Sequence, residues 1–363
     1  MSEFHLSGIY PDTQTADLLT SANFLQDIRI TQISDEGPTP SFFIRFRDPI
    51  ASLTRNWNYL QSDEPGESLL DGSTVLVAQR TLSIRTLSLL QYAKAKGIPI
   101  IYETDDLIID LPPQTVVKVP PDKKEAIHSA LAMADLVTCS TPTLADKLAE
   151  YNKNLLLLAN YAIPFPTASI HSVQQTTPHL AIVNTDYFKL ISDKNNLVRA
   201  LDSALKTLKY KITFFGTIDP FMEQLKDMYA DNVDIVRSFI PWRRRFLERL
   251  LLTYGINVAI VPLERNTHHR YKSDIKFLDF ASIGVPGIFN NSAIYERVVH
   301  GENGFLCDGT YQGWMDGLVY FADRSARTRC GETAYAKAQE RTLDHYASEM
   351  GSAIVGLVDR SRS

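Results

Sequence analysis

Short apolar runs and amphipathic helical stretches take turns along most of this chain, and that alternation restricts its fold more than any other property. Val75-Leu76-Val77-Ala78 reads as a strand and Ile84 to Ala95 as the helix after it. Gly97 introduces the strand Ile98 to Tyr102. The helix Lys123 to Ala134 leads to Leu136-Val137-Thr138-Cys139, and a helix starting near Thr141-Pro142 leads to Leu155 to Leu158. Prolines, threonines, serines and glutamines between Pro164 and Pro178 keep neither periodicity and read as a linker. Beyond it the alternation restarts, with strands at Leu180 to Asn184, Lys211 to Phe215, Val233 to Val236, Val258 to Val261 and Gly287 to Phe289. Strands separated by helices pair in parallel, so the class is α/β with two parallel-sheet halves. The expected division is residues 1–170, residues 171–340 and a last helix in 341–363 packing back on the first half. The segment Glu332 to Leu357 has helical spacing and ends in a charged tail, and residues 1–26 show no pattern. Ligands of such sheets bind at the carboxyl ends of strands, near helix N-termini, so the cleft between the halves is the expected site.

A chain of 363 residues is too long for one small core, which fits two domains. Its net charge of −5 offers no long-range attraction to nucleic acid, so none is expected as a partner. Met1 to Tyr10 lack a basic region followed by an apolar run, and no stretch of about 18 apolar residues occurs. A cytoplasmic location is expected. Cys139, Cys307 and Cys330 are too far apart for a zinc pattern and too few for a disulfide framework. His268 and His269 are adjacent and would point apart, so no metal site is expected.

The chemistry concentrates between Lys272 and Gly304. Ser273 is a candidate helix cap, and Gly284 followed by Val285-Pro286 supplies a left-handed stop. Lys272, Lys276 and Asp279 fall at i, i+4 and i+7, on one face, while Ile275, Phe277, Leu278 and Ala281 supply the apolar remainder. Taken alone, that face is either a solvated surface with a Lys276–Asp279 ion pair or part of a binding site.

Ala259-Ile260-Val261-Pro262-Leu263, Lys272-Ser273 through Asp279-Phe280-Ala281, Gly284-Val285-Pro286, Tyr295-Glu296, Gly301-Glu302-Asn303-Gly304 and Trp314 together resemble the nucleotide-sugar-dependent, retaining glycosyltransferases of family 4 (group 1). The resemblance covers about residues 180–340 and is looser over 75–165. It implies the GT-B fold, two Rossmann-like parallel-sheet domains facing each other across a cleft. It also implies a nucleoside-diphosphate sugar as donor, with no cofactor and no metal. The family carries two carboxylates with seven residues between them. Asp279 stands at the second position, where the implied role is to bind the donor ribose, and Tyr271 stands at the first, where it cannot replace a charge. Lys272 and the free N–H groups of the helix start would face the diphosphate. Lys189 and Lys194 match the spacing of the family's phosphate-handling basic pair, the alternative being two solvated lysines. Gly216 either admits the donor close to the backbone or is a plain turn glycine. Asp105, in Glu103-Thr104-Asp105-Asp106, would face the donor sugar, the alternative being a capping role in its loop.

Phe239 and Ile240 sit where the family holds the nucleobase. Trp242-Arg243-Arg244-Arg245-Phe246 is either a solvated helix face or a peripheral membrane contact. Arg45 and Arg47 are candidates for the N-terminal wall of the cleft. The implied function is transfer of a sugar to a glycan, lipid-linked or protein acceptor in the synthesis of a cell-surface or secreted polysaccharide. Lys194 and Asp105 would be closest to the chemistry. Two alternatives stay open, a non-catalytic binding or assembly subunit and a sugar-nucleotide epimerase.

Overall fold

The computed structural model describes residues 27–35, 39–61, 67–80, 83–110, 119–163, 165, 177–183, 194–216, 219–237, 243–263 and 269–362. Lys189, Phe239, Ile240, Trp242 and His268, most of the linker and the expected boundary near residue 170 lie outside them.

Two sheets form. The first contains β1 (Ile30–Ser34), β2 (Trp57–Gln61), β3 (Val75–Gln79), β4 (Ile100–Thr104), β5 (Leu136–Cys139) and β6 (Leu155–Leu157), in the order β2-β1-β3-β4-β5-β6. The second contains β7 (His179–Val183), β8 (Lys211–Phe215), β9 (Val233–Val236), β10 (Val258–Val261), β11 (Gly287–Asn290) and β12 (Phe305–Cys307), in the order β12-β11-β10-β7-β8-β9. Every pairing within them is parallel. The central strands β3, β4 and β7 are buried along their whole length, as strands covered on both faces are. This is the expected α/β architecture, two Rossmann-like sheets of the GT-B kind.

Three strands were not legible in the apolar pattern. β1 reads Ile-Thr-Gln-Ile-Ser, and two of its buried polar members donate to neighbouring strands: Thr31 Oγ1 to Asn58 Oδ1 at 2.6 Å and Gln32 Nε2 to Gln79 Oε1 at 2.6 Å. Hydrogen bonding thus lets a polar segment take a central position. β2 is an edge strand beside it, and β12 is only three residues long. The helical spacing over Glu332 to Leu357 is divided between two helices, Arg324–Ala338 and Leu343–Arg362. The break lets the chain return to the first half, where Ala162 N–H donates to Arg341 O at 2.9 Å. There Tyr346, Met350, Ile354, Leu357 and Val358 share an apolar cluster with Phe42, Phe46, Ile50, Val75 and Val77.

Gly284 ends the helix Ile275–Ser282 with φ +67°, a left-handed turn as expected. Gly331 on the helix Arg324–Ala338 packs directly on that turn, and a Cβ at Gly331 would overlap the Gly284 carbonyl oxygen. Gly331→Ala is therefore expected to destabilise the protein by about 1–3 kcal/mol, the cost of forcing packed elements apart. A urea titration checks this, and an unchanged midpoint would show that the helix shifts freely.

Candidate functional site

The site is assembled from the carboxyl ends of the first sheet and the turn that opens the helix Ile275–Ser282. At the end of β4, Asp105 is held on one oxygen by Ser41, whose Oγ donates to Oδ2 at 2.6 Å. Its other oxygen lies 3.7 Å from Arg80 Nη1 and, though buried, accepts no hydrogen bond among the described residues. A buried acceptor without a donor is costly unless a ligand supplies one. The Asp105 main chain is fixed too, its carbonyl accepting from Ser140 Oγ at 2.8 Å.

Arg80 itself was not legible as a site residue. It follows β3 directly and has φ +46°, a conformation unfavourable for a side chain of its size, and its N–H donates to Glu103 O at 2.9 Å. The rule that ligands meet strand carboxyl ends was the available signal.

From the second half comes the turn His269–Tyr271, then Lys272 and Ser273. This segment docks on the first half at three points. Thr141 Oγ1 donates to Tyr271 O at 3.2 Å, Lys272 Nζ lies 3.4 Å from Asp106 Oδ1, and Asn160 Nδ2 donates to Ser273 Oγ at 2.8 Å. Tyr271 is 7% exposed and packs with Leu107 and Ile108 of the first half. Its ring is an anchor between the halves, and Arg270 stacks on it with 4.8 Å from guanidinium to ring centroid.

Ser273 does not cap the helix. The capping position falls on Asp274, which makes no side-chain capping bond. Asp274 instead receives Arg341 Nη1 on both oxygens, at 2.9 and 3.1 Å, with Arg297 Nε at 3.8 Å. Burial raises the pKa of Asp274, with Arg341 and Arg297 opposing it. Because the helix begins at Ile275, Lys272 precedes it and does not share its face. Lys276 and Asp279 do pair, at 3.6 Å, but Asp279 is only 8% exposed, so the carboxylate is not on a solvated surface.

In the second half, Lys194 opens the helix Lys194–Thr207. Its Nζ donates to Asp219 Oδ2 at 2.6 Å and lies 5.2 Å from the Phe221 ring centroid. Asp219 also caps the next helix by accepting from Phe221 N–H, so it holds Lys194 at the carboxyl side of β8. Gly216, directly after β8, has φ +119° and donates its N–H to Val236 O at 3.1 Å. That conformation demands glycine on turn grounds alone.

Arg45 does not line the cleft. It is fully buried, with Nε 2.7 Å from Glu103 Oε1 and Nη1 donating to Leu158 O and Asn160 Oδ1. Arg47 is likewise taken up, by Asp48 and the Phe43 ring. On the helix Arg243–Leu252, Arg244 is exposed and pairs with Glu248 at 3.1 Å, while Phe246 turns inward against Phe215, with ring centroids 5.7 Å apart. A cavity of about 760 Å³ beside Lys94, Pro99, Asp135 and Arg360 opens at the amino ends of β4, β5 and β6, the end of the sheet away from Asp105. Among the described residues no cluster of His, Cys, Asp and Glu is arranged to hold a metal ion, and no helix is long and apolar enough to cross a membrane.

Two parallel six-stranded sheets contributing to one constellation define a protein of GT-B fold, and solved structures agree. Anabaena Alr3699/HepE, in complex with UDP and glucose, matches 90% of this chain and all of its own, with 11% identity and a TM-score of 0.67. The α,α-trehalose 6-phosphate synthase of Burkholderia multivorans matches over 92% of this chain and 98% of its own, with 9% identity and a TM-score of 0.61. UDP-GlcNAc 2-epimerase from Methanocaldococcus jannaschii covers 86% of this chain, with 10% identity and a TM-score of 0.50. At these identities the likeness is one of fold. No family model matches the chain, and no curated protein matches it in sequence.

Proposed function

We propose that this protein is a glycosyltransferase that takes a sugar from a nucleoside diphosphate and passes it to an acceptor hydroxyl across the cleft. The observation that carries this reading is the convergence of Asp105 and Asp106 from the first sheet with Lys272 and Ser273 from the second, joined by the Lys272–Asp106 contact of 3.4 Å. One side offers carboxylates to sugar hydroxyls, and the other offers cationic and backbone donors to a diphosphate. Asp279 would accept from the ribose hydroxyls. Lys194, released from Asp219 or shared with it, would meet the charge developing on the leaving phosphate. The bond from the anomeric carbon to the phosphate oxygen breaks as the bond to the acceptor oxygen forms. The acceptor proton passes to the leaving phosphate, so no separate side-chain base is required. The complex of HepE with UDP and glucose supports a donor of this class.

A second reading, a subunit that binds without turnover, is favoured by Tyr271, which replaces a carboxylate of the resembling family and is buried as an anchor. Incubation of the protein with a panel of nucleoside-diphosphate sugars and acceptors, followed by NMR of the products, separates the possibilities. A transferase yields nucleoside diphosphate and a new glycoside. An altered sugar without acceptor would mark an epimerase, and an unchanged donor in every mixture would leave the binding subunit.

A further inference from the structure

A continuous chain of buried polar contacts runs from β4 to the start of the helix Ile275–Ser282. Glu103, two residues before Asp105, accepts from Gln79 Nε2 at 2.8 Å and from Arg45 Nε at 2.7 Å. Arg45 Nη1 donates to Asn160 Oδ1 at 3.1 Å, and Asn160 Nδ2 donates to Ser273 Oγ at 2.8 Å. The C-terminal helix closes on the same group, with Tyr346 Oη donating to Arg45 O at 3.0 Å and its ring 5.2 Å from the guanidinium. Asn160 therefore uses its acceptor toward the first half and its donor toward the second.

The backbone is shaped to permit this. Arg45 sits in the π-helical turn Phe43–Arg47, a rare geometry found mostly at functional positions. Two residues beyond Asn160, Ala162 N–H binds Arg341 O, and Arg341 binds Asp274. Next, Ile163 N–H donates to Ser282 Oγ at 3.0 Å. The stretch from Asn160 to Ile163 thus holds the helix Ile275–Ser282 at both ends.

We propose that Asn160 is a positioning residue, oriented by Arg45, which sets Lys272 and Ser273, the two residues before the cap of the helix Ile275–Ser282, against the Asp105 end of β4. Its role in donor binding rests on the functional reading above. Coupling carried this way needs a contiguous network with defined partners at each step. From Ser273 through Asn160 and Arg45 to Glu103 each step is a hydrogen bond, and the last step to Asp105 runs along the backbone of β4 and the residue after it. Donor that engages Lys272 and Ser273 would be felt at Asp105 through Asn160, and the effect is reciprocal.

Amide hydrogen exchange on the full chain tests the positioning without any ligand. Lys272 N–H and Leu278 N–H are bonded to His269 O and Asp274 O, and they report opening of the helix start, while Ile212 N–H, bonded to Asn232 O, serves as a distant reference. Asn160→Ala and Ser273→Ala are each expected to speed exchange at Lys272 and Leu278 by about tenfold, the effect of losing one part-buried hydrogen bond, with Ile212 unchanged. The double variant should add little to either, because both remove the same bond. Unchanged exchange at the helix start, a rise matched at Ile212, or full additivity in the double variant would each overturn the proposal. With UDP as the probe, the same Asn160→Ala protein should bind about tenfold more weakly. If the wild-type protein binds no nucleoside diphosphate, the functional reading fails while the exchange result still decides the role of Asn160.

Discussion

Replacing Arg45 by Met is expected to cost about 3–5 kcal/mol of stability, because it leaves Glu103 buried without its cationic partner. Both side chains are almost wholly inaccessible, at 0% and 1% exposure, so water cannot take over from the lost guanidinium. Burial already raises the pKa of Glu103, with Arg45 opposing that rise, and removing Arg45 should raise it further. A carboxyl group whose folded pKa is raised favours the folded state below its unfolded value and loses that contribution as pH rises through the folded pKa. The deficit of Arg45→Met should therefore be larger at pH 8 than at pH 5. Paired with Glu103→Met, most of the loss should return, since two apolar groups of similar size need no partners. Denaturant titrations of the two variants at both pH values check this. A small deficit that does not change with pH would mean that Glu103 is already neutral, and that the pair holds no buried charge.

The second large effect is expected at Trp314, where substitution by Ala should cost about 3–5 kcal/mol. The side chain is fully buried on the helix Tyr311–Ala322, in the cluster that contains Leu197, Leu201, Ile260, Ile288 and Phe321. Its indole nitrogen has no hydrogen-bond partner among the described residues, so its contribution is packing. The damage should centre on the second sheet, and Trp314→Phe should lose much less because most of the ring volume remains. Near-UV circular dichroism through a denaturant titration follows this, and equal stability of Trp314→Ala and wild type would refute it. Trp314 belongs to the motif set that resembles the glycosyltransferases, yet its part here is structural.

Much of the fold could be read from periodicity, because the central strands of a parallel sheet covered on both faces are uninterrupted apolar runs. Strands whose interiors are polar escaped, β1 above all, since Thr31 and Gln32 are acceptable in the core only through partners remote in sequence. The contact that fixes the break between the last two helices escaped for a similar reason, since Arg341 and Asp274 are 67 residues apart. Lys272 and Ser273 lie at the junction of the two halves, against Asp106 and Asn160, with Asp105 next in the chain to Asp106, and Asp279 with Lys276 lies on the helix that follows. What the residue pattern could not supply was pairing. Ser273 reads as a cap and serves Asn160 instead, and Arg45 reads as a cleft cation and is a buried partner of Glu103. Short local motifs identify which residues have suitable chemistry, but long-range hydrogen bonds decide which of them remain available to a ligand. Lys194 illustrates this, since its charge is already matched by Asp219.

A nucleoside-diphosphate site on the helix Ile275–Ser282 would show itself in calorimetric titration of the wild-type protein and Asp279→Ala with UDP, GDP and ADP. The account predicts saturable binding of one of them by the wild type. It also predicts a loss of about 1–3 kcal/mol in Asp279→Ala, the range for a hydrogen bond to a charged group, equivalent to roughly 5- to 150-fold in Kd. Failure of the folded wild-type protein to bind any of the three, or equal affinity in the folded Asp279→Ala variant, would contradict it.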